Sequence, residues 1–282
     1  MISRQLAQRL GFAFLAAVAA LVVLPIVVVV GYIVAQGWPA MSWSFLAEMP
    51  RNGMRDGGLL PAIVGTLWLT LGTAVFAVPL GVSMGVYLAE YASDTTFTRL
   101  VRLSIVNLAG VPSVVYGLFG LGLFVLFLGF GSSILAGALT LSIMTLPVII
   151  STSEEALRAV PPSFRTVSIS LGGSKWQTIY RVALPQALPG ILTGIILGLE
   201  RAAGETAPIL FTVAAFFLPR LPRSMFDQTM ALPYHLFVIS TQVPGMPIRI
   251  QYGTAMVLLI FVLSMNLVAA GLRSYYRRKR LW

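Results

Sequence analysis

Cysteine is absent from the 282 residues, and histidine occurs once, at His235. Disulfide frameworks, thiolate metal sites, Cys-His nucleophilic pairs and multi-histidine clusters are therefore excluded, and redox or metal chemistry is a poor reading of the chain. Charge is scarce as well: 10% of residues are charged, against about 25% in an ordinary soluble domain. With 57% hydrophobic residues and a mean hydropathy of +0.89, a water-soluble globule is ruled out. A loop of the Gly-x4-Gly-Lys-Ser/Thr type, which cradles nucleotide phosphates, is missing too, since Gly173-Ser174-Lys175 lacks the spacing. What remains is a chain whose solvent is mostly lipid.

Uncharged blocks mark the expected membrane spans. Nothing between Arg9 and Glu48 is charged, and Leu10 to about Val34 is long enough to cross roughly 30 Å of hydrocarbon, with a kink expected at Pro25. Small-residue runs such as Ala16-Ala17-Val18-Ala19-Ala20 also fit a cleaved signal peptide, but the apolar run is too long for one, so a retained anchor is expected. The second block is Leu59 to Ala89, bounded by Asp56 and Glu90. Leu103 to Ser153 holds no charge and would extend about 75 Å as one helix, so it must double back; Gly129-Phe130-Gly131-Ser132-Ser133 is the expected turn. Spans over 104–128 and 134–152 follow, then 189–218 and 252–272. The fold class expected is all-α and polytopic, with six transmembrane helices.

Six spans put both termini on one side. Counted with that side cytoplasmic, 13 basic residues lie inside and five (Arg51, Arg55, Arg220, Arg223, Arg249) outside, with Arg201 inside the fifth span. The bias favours cytoplasmic termini. It also explains the net charge of +10 without nucleic acid, because Arg4, Arg9 and the terminal Arg273, Arg277, Arg278, Lys279 and Arg280 flank lipid-spanning segments instead of covering a soluble domain.

Two segments depart from a plain bundle. Between spans four and five, Pro161-Pro162 can open a helix, Gly172-Gly173 can close it in left-handed geometry, and Ser174 with Gln177 forms a capping-box pattern for a second, short helix. That stub presents Trp176 and Tyr180 on one face, and Pro185 and Pro189 are expected to redirect the chain into the membrane. Two readings stay open on physics alone: an interfacial helix with aromatics at headgroup level, or a protein-docking knob.

The second segment is Gly198-Leu199-Glu200-Arg201-Ala202-Ala203-Gly204-Glu205-Thr206-Ala207-Pro208, three ionisable groups in an apolar span. Each costs about 2.5–3.5 kcal/mol at a helix centre, so they should face protein or water. Arg201 and Glu205 are four apart and share a face, while Glu200 points about 100° away. The pair is either an internal salt bridge or part of an anion route, where a guanidinium suits a tetrahedral oxyanion.

The run from Gly172 to Pro185 resembles the cytoplasmic loop motif of bacterial ABC-importer permeases, with Gly172, Val182, Leu184 and Pro185 at the required spacing. The motif's Glu-Ala-Ala positions hold Thr166, Val167 and Ser168 instead. The Arg201 stretch resembles the Arg-Ala-x-Gly-Glu-Thr-Ala-Pro signature of phosphate-importer permeases, closest to the PstA type; related sulfate and molybdate permeases usually follow Arg-Ala-Leu-Gly-Glu with other residues. The resemblance implies a type I permease fold in the bacterial inner membrane and a substrate path through Arg201, Glu205, Glu200 and Thr206. It implies coupling through Gly172, Ser174, Trp176, Gln177, Tyr180, Leu184 and Pro185 to a partner ATPase that binds ATP-Mg, with no cofactor on this chain. Implied partners are a homologous PstC-type permease, a PstB-type ATPase dimer, an external PstS-type phosphate-binding protein and membrane lipid.

The expected organisation is an N-terminal helix and external loop (1–58), a permease domain (59–275) with its coupling loop at 154–186, and a basic tail (276–282). His235 reads as an ordinary solvated loop residue. Asn107 either lines the path or bonds a neighbouring helix, and Gly117, Gly120 and Gly122 are expected to allow close helix packing. Against the permease stand a secondary anion transporter, which explains only the buried charges, and a membrane-embedded hydrolase, which lacks an acid or base cluster.

Overall fold

Leu10 opens the first apolar run, and the helix that carries it, α1 (Arg4–Gly37), passes Pro25 without a break. The structure is a computed structural model that describes residues 4–278. After α1 come a 3-10 turn at Trp38–Ala40, the short α2 (Trp43–Ala47) and an antiparallel hairpin of β1 (Pro50–Arg51) and β2 (Asp56–Gly57). The chain continues through α3 (Leu60–Val86), a π-helical turn at Tyr87–Tyr91, α4 (Thr96–Ala109), α5 (Ser113–Gly120) with a π-helical extension Leu121–Phe127, and α6 (Ile134–Arg158). Then follow α7 (Pro162–Ser170), α8 (Lys175–Thr178), a π-helical turn at Ile179–Ala183, α9 (Leu184–Gly204), α10 (Ala207–Thr212), α11 (Leu232–Thr241) and α12 (Ile248–Arg278).

Five helical segments are long and apolar enough to cross a membrane, Gln8–Ala40, Leu60–Tyr91, Ile134–Arg158, Lys175–Gly204 and Ile248–Tyr275, and the bent pair α4 with Ser113–Phe127 makes the sixth. The all-α, polytopic class is as expected from the sequence. Below, the end of the bundle carrying α7 and α8 is the loop end, and the end carrying β1 and β2 is the hairpin end.

Three boundaries differ from the sequence reading. The third block is not one straight helix over 104–128: α4 and α5 meet at 101° across Gly110-Val111-Pro112. Pro112 has no N–H for the Leu108 carbonyl, which instead accepts from Val111 N at 3.1 Å and the Tyr116 hydroxyl at 2.7 Å, so the break leaves no orphan in lipid. The fifth span is not 189–218 but ends at Gly204, and it begins at Lys175, because the chain passes Pro185 and Pro189 without turning. A π-turn just ahead of them, with Leu184 N bonded to Ile179 O, widens the helix where proline would otherwise crowd the preceding carbonyls. Finally, the first residues of the expected tail continue α12; Lys279 and Arg280 lie outside the described residues.

The core is built on α3 against α6 and α6 against α9. A Cβ on Gly85 would lie 2.5 Å from Ser153 Cβ, so α3 and α6 approach to a separation that only glycine allows. Leu69, Leu141, Met144, Ile209, Val213, Leu232 and Ile239 fill the space between them, α10 and α11. Hydroxyls inside the spans turn back on their own helices: Thr66, Thr70, Thr73, Thr140 and Thr254 each donate to the carbonyl four residues earlier. No buried hydroxyl is then left unpaired at these positions. Gly117 and Gly120 admit α10 and α6 as expected, whereas Gly122 faces open space. In α1 every side chain placed from Gln8 to Val29 is exposed, so its loop-end two thirds stand away from the bundle; near Tyr32 and Gly37 it rests on α12, with Tyr32 and Tyr252 edge to face at 5.4 Å.

Candidate functional site

The last turn of α9 carries Arg201, and the helix stops three residues later because Glu205 adopts extended backbone (φ −74°, ψ 138°) ahead of the Pro208 turn. A cation in a last turn is favoured by the unpaired carbonyls there, which carry partial negative charge. Arg201 Nε reaches Glu205 Oε1 at 3.4 Å, at the long limit of a hydrogen bond. Among the described residues its two Nη groups meet no acceptor, and the side chain is 38% exposed. The guanidinium therefore lies on the outside of this single chain, aligned along α9 with the exposed Leu197 and Gly204.

Glu205 turns the other way, its side chain 17% exposed. It borders a space of about 10 Å³ shared with Thr66, Thr70, Ala202, Ala203, Ile209, Ala231 and Pro233. That volume holds at most one water molecule, so this space does not admit an anion. The Arg201 side chain is reached from the exposed side. The inner wall is stiff: Thr66 Oγ1 accepts from Leu232 N at 2.8 Å, tying α3 to the start of α11. Glu200 lies about a quarter turn from Arg201, on the side of α9 toward Asn266 of α12, and its Oε1 is buried without a hydrogen-bond partner among the described residues. Thr206 is half-buried and starts α10, making no side-chain cap. The structure thus brings Arg201 and Glu205 together and sets Glu200 apart from them.

At the loop end the short helices form as the residues dictate. Pro162 opens α7, Gly172 closes it at φ +84°, and Ser174 and Gln177 exchange both capping-box bonds, Gln177 N to Ser174 Oγ at 3.3 Å and Ser174 N to Gln177 Oε1 at 2.9 Å. Trp176 and Tyr180 stack at 6.1 Å and 12°, the tryptophan 63% exposed. The opposite face anchors the stub: Ala183 is buried with Leu157, Val160, Ala187 and Ile191, and Leu184 packs against that cluster, while Pro185 is exposed in the first turn of α9. Ser168, at the third position of the departed motif, bonds Thr178 at 2.8 Å between hydroxyls and joins α7 to α8. Between the two helices runs an open, mainly apolar groove of about 630 Å³ lined by Val167, Leu171, Gln177 and Val182.

Sequence reasoning missed an ion-pair ledge beneath this loop. Arg165 meets Glu90 through Nε at 3.1 Å and also through Nη2, and Arg102 bonds Glu154 at 2.9 Å, with Arg158 on the same oxygen. Glu90 served only as the boundary of an apolar block, although a carboxylate directly against a span is itself a signal. His235 is also not the solvated residue expected: it is 2% exposed in α11, Nδ1 has no partner, and burial pushes its pKa down to about 4. Asn107, on α4, is exposed.

The bundle thus carries an exposed aromatic stub at one end of a membrane-crossing helix and a half-exposed guanidinium at the other. Residues 77–281 match the family described as binding-protein-dependent transport system inner membrane component, and the chain belongs to it. It is 37% identical over 274 residues to the phosphate transport system permease protein PstA 1 of Mycobacterium tuberculosis (strain CDC 1551 / Oshkosh), covering 95% of this chain and 88% of that protein. It is 33% identical over 291 residues to the probable ABC transporter permease protein YqgI of Bacillus subtilis (strain 168), covering 98% of each. A chain of the bacterial alginate ABC transporter solved with its pentasaccharide-bound periplasmic protein shares the fold at a TM-score of 0.65 and 12% identity, over 94% of this chain and 96% of that one. The protein is a multi-pass inner-membrane permease subunit of an ABC importer with the type I fold, and is not itself an enzyme. The family works with an ATPase and a substrate-binding protein.

Proposed function

We propose that this chain is the PstA-type permease of an ATP-driven importer of inorganic phosphate, forming half of the translocation path. The observation that carries the reading is Arg201: its Nη groups are free and turned out of the chain, and its bond to Glu205 is long. A second permease, of PstC type, placed against this face would enclose the guanidinium. In a site closed to bulk water, lower dielectric strengthens its two-point grip on a phosphate oxyanion. Glu205, 3.4 Å away, then competes for the guanidinium and favours release. Thr206 adds a hydroxyl at the same turn; Glu200, on the side of α9 toward Asn266, sets the position of α9 against α12. The names of relatives such as PstA 1 of Mycobacterium tuberculosis support phosphate over sulfate or molybdate.

Force enters at the loop. Trp176 and Tyr180, exposed and stacked, dock with the neighbouring groove onto a PstB-type ATPase dimer, which holds the ATP-Mg; this chain binds no cofactor. Gly172, Ser174 and Gln177 give the stub its shape, and Leu184 and Pro185 root it in α9. The 13 to 5 distribution of basic residues supports placing the loop end and both termini in the cytoplasm, with a PstS-type phosphate-binding protein at the hairpin end.

The test is uptake by the reconstituted complex of phosphate, sulfate and molybdate in turn. Losing two charge-assisted bonds costs about 3 kcal/mol, so Arg201→Gln should lower phosphate uptake at least about a hundredfold with the ATPase still bound. Arg201→Lys, which keeps charge but not the fork, should fall between. Native-rate uptake by Arg201→Gln overturns the assignment, and faster uptake of sulfate or molybdate by the wild type replaces phosphate.

A further inference from the structure

The Arg201–Glu205 pair rests on two helices. Arg201 rides on α9, which is continuous with the coupling stub α8. Glu205 turns inward onto Thr66 and Thr70 of α3, whose other end lies roughly 30 Å away at Glu90 and Tyr91. Those two neighbours are held by the two successive helices of the loop. Glu90, 8% exposed, takes Arg165 of α7, and Lys175 Nζ of α8 lies 4.6 Å above the Tyr91 ring. Arg165 does more than pair: Nη1 and Nη2 also donate, each at 2.8 Å, to the carbonyls of Val160 and Leu157, so one guanidinium binds the ends of α3 and α6 to α7. The π-turn at Tyr87–Tyr91, closed by Ala92 N to Tyr87 O at 2.9 Å, is what sets the phase in which Glu90 and Tyr91 leave α3.

We propose that Glu90 and Tyr91 form a two-point clasp that makes α3 follow the coupling loop, so that Arg201 on α9 and the α3 wall behind Glu205 move as one body when the loop is pushed. The proposal rests on the permease reading above. Glu90 and Tyr91 touch no substrate and are positioning residues. With the clasp intact, a displacement of α7 and α8 reaches Arg201 through α9 and Thr66 and Thr70 through α3. With it broken, α9 moves past a stationary α3, and ATP is spent without opening the path.

Because this chain has no cysteine, Ser93→Cys, two residues past the π-turn that follows α3, and Ser170→Cys on α7, both exposed, are the only sites on it that take a spin label; the chain is labelled before assembly. In the assembled complex their separation should be a single narrow distribution that is the same without nucleotide and with ATP trapped. Glu90→Gln, and more weakly Tyr91→Leu, should broaden it or split it between the two conditions. This readout needs no substrate, so it stands even if the phosphate assignment fails. In proteoliposomes, uptake per ATP of whichever oxyanion the wild type imports should fall about tenfold in Glu90→Gln, with the hydrolysis rate near native. If Glu90→Gln does not assemble, Tyr91→Leu, which removes only a surface contact, decides both measurements. A distance in the wild type that changes on ATP binding, or unchanged uptake per ATP in the assembled variants, overturns the clasp.

Discussion

Replacing Gly194 with alanine tests how closely α9 must lie on α6 for the Arg201 site to hold together. A Cβ at that position would stand 2.5 Å from Thr152 Cβ and closer still to its hydroxyl. Rotating the threonine moves the hydroxyl away, at the loss of its 2.7 Å bond to the Val148 carbonyl, but the Thr152 Cβ is fixed to the backbone. Carbon atoms need about 3.5 Å, so the helices must part by roughly 1 Å. Overpacking of this kind costs about 1–3 kcal/mol and the lost hydroxyl bond about 1, while the better helix propensity of alanine returns about 1. The expectation is a net loss of about 2 kcal/mol, seen as a lower apparent Tm of the complex in nanodiscs at one fixed scan rate. Thr152→Gly removes both offending atoms, so the double variant should be more stable than Gly194→Ala alone. Gly271→Ala, with nothing within 4 Å, should be neutral or stabilising. If Gly194→Ala melts with the wild type, or if Thr152→Gly does not soften its effect, the packing argument is wrong.

Two further outcomes are expected. His235 titrates at about 4 when folded and near 6.5 when unfolded, so its burial favours the folded state fully above pH 6.5 and this contribution is lost between pH 6.5 and 4; the loss is about 3 kcal/mol, and apparent Tm against pH should be flatter for His235→Phe than for the wild type. Trp176→Ala should leave membrane insertion unchanged but reduce the ATPase retained on purification, because half of the exposed aromatic stack is gone; full retention would show that the stack is not the docking surface.

Much of this molecule is legible from composition because lipid imposes simple terms: long uncharged blocks become helices, and Gly129 to Ser133, with positive φ at Gly129 and Gly131, is the turn that its glycines suggest. Ser174 and Gln177 cap the stub because their chemistry is local. The effect of a proline depends on its neighbours: Pro112 breaks its span where the Tyr116 hydroxyl can cover a carbonyl, whereas Pro185 follows a π-turn that no single-residue propensity announces and Pro189 lies inside α9 without breaking it. The pairing of Glu90 with Arg165, 75 residues on, is a tertiary fact that sequence spacing does not encode. Arg201 and Glu205 were legible as a pair. Which of them faces outward was not, because that depends on α3 and α11 closing over Glu205.

The π-turn at Ile179–Ala183 also has a consequence for how the stub and the guanidinium are related. Trp176 and Arg201 are 25 residues apart along one helical segment that includes the π-turn, a separation of about 38 Å. Direction matters as much as distance. A π-turn inserts one residue into the helical repeat, which rotates everything before it by about 100° relative to everything after it. With a regular α-helix in its place, Trp176 and Tyr180 would swing off their present face, and Ile179 and Ala183, now 3% and 0% exposed, would no longer both be buried. The ending of the loop motif, Val182, Leu184 and Pro185, thus coincides with the widened turn, and the widened turn sets the face on which the stub stands relative to Arg201.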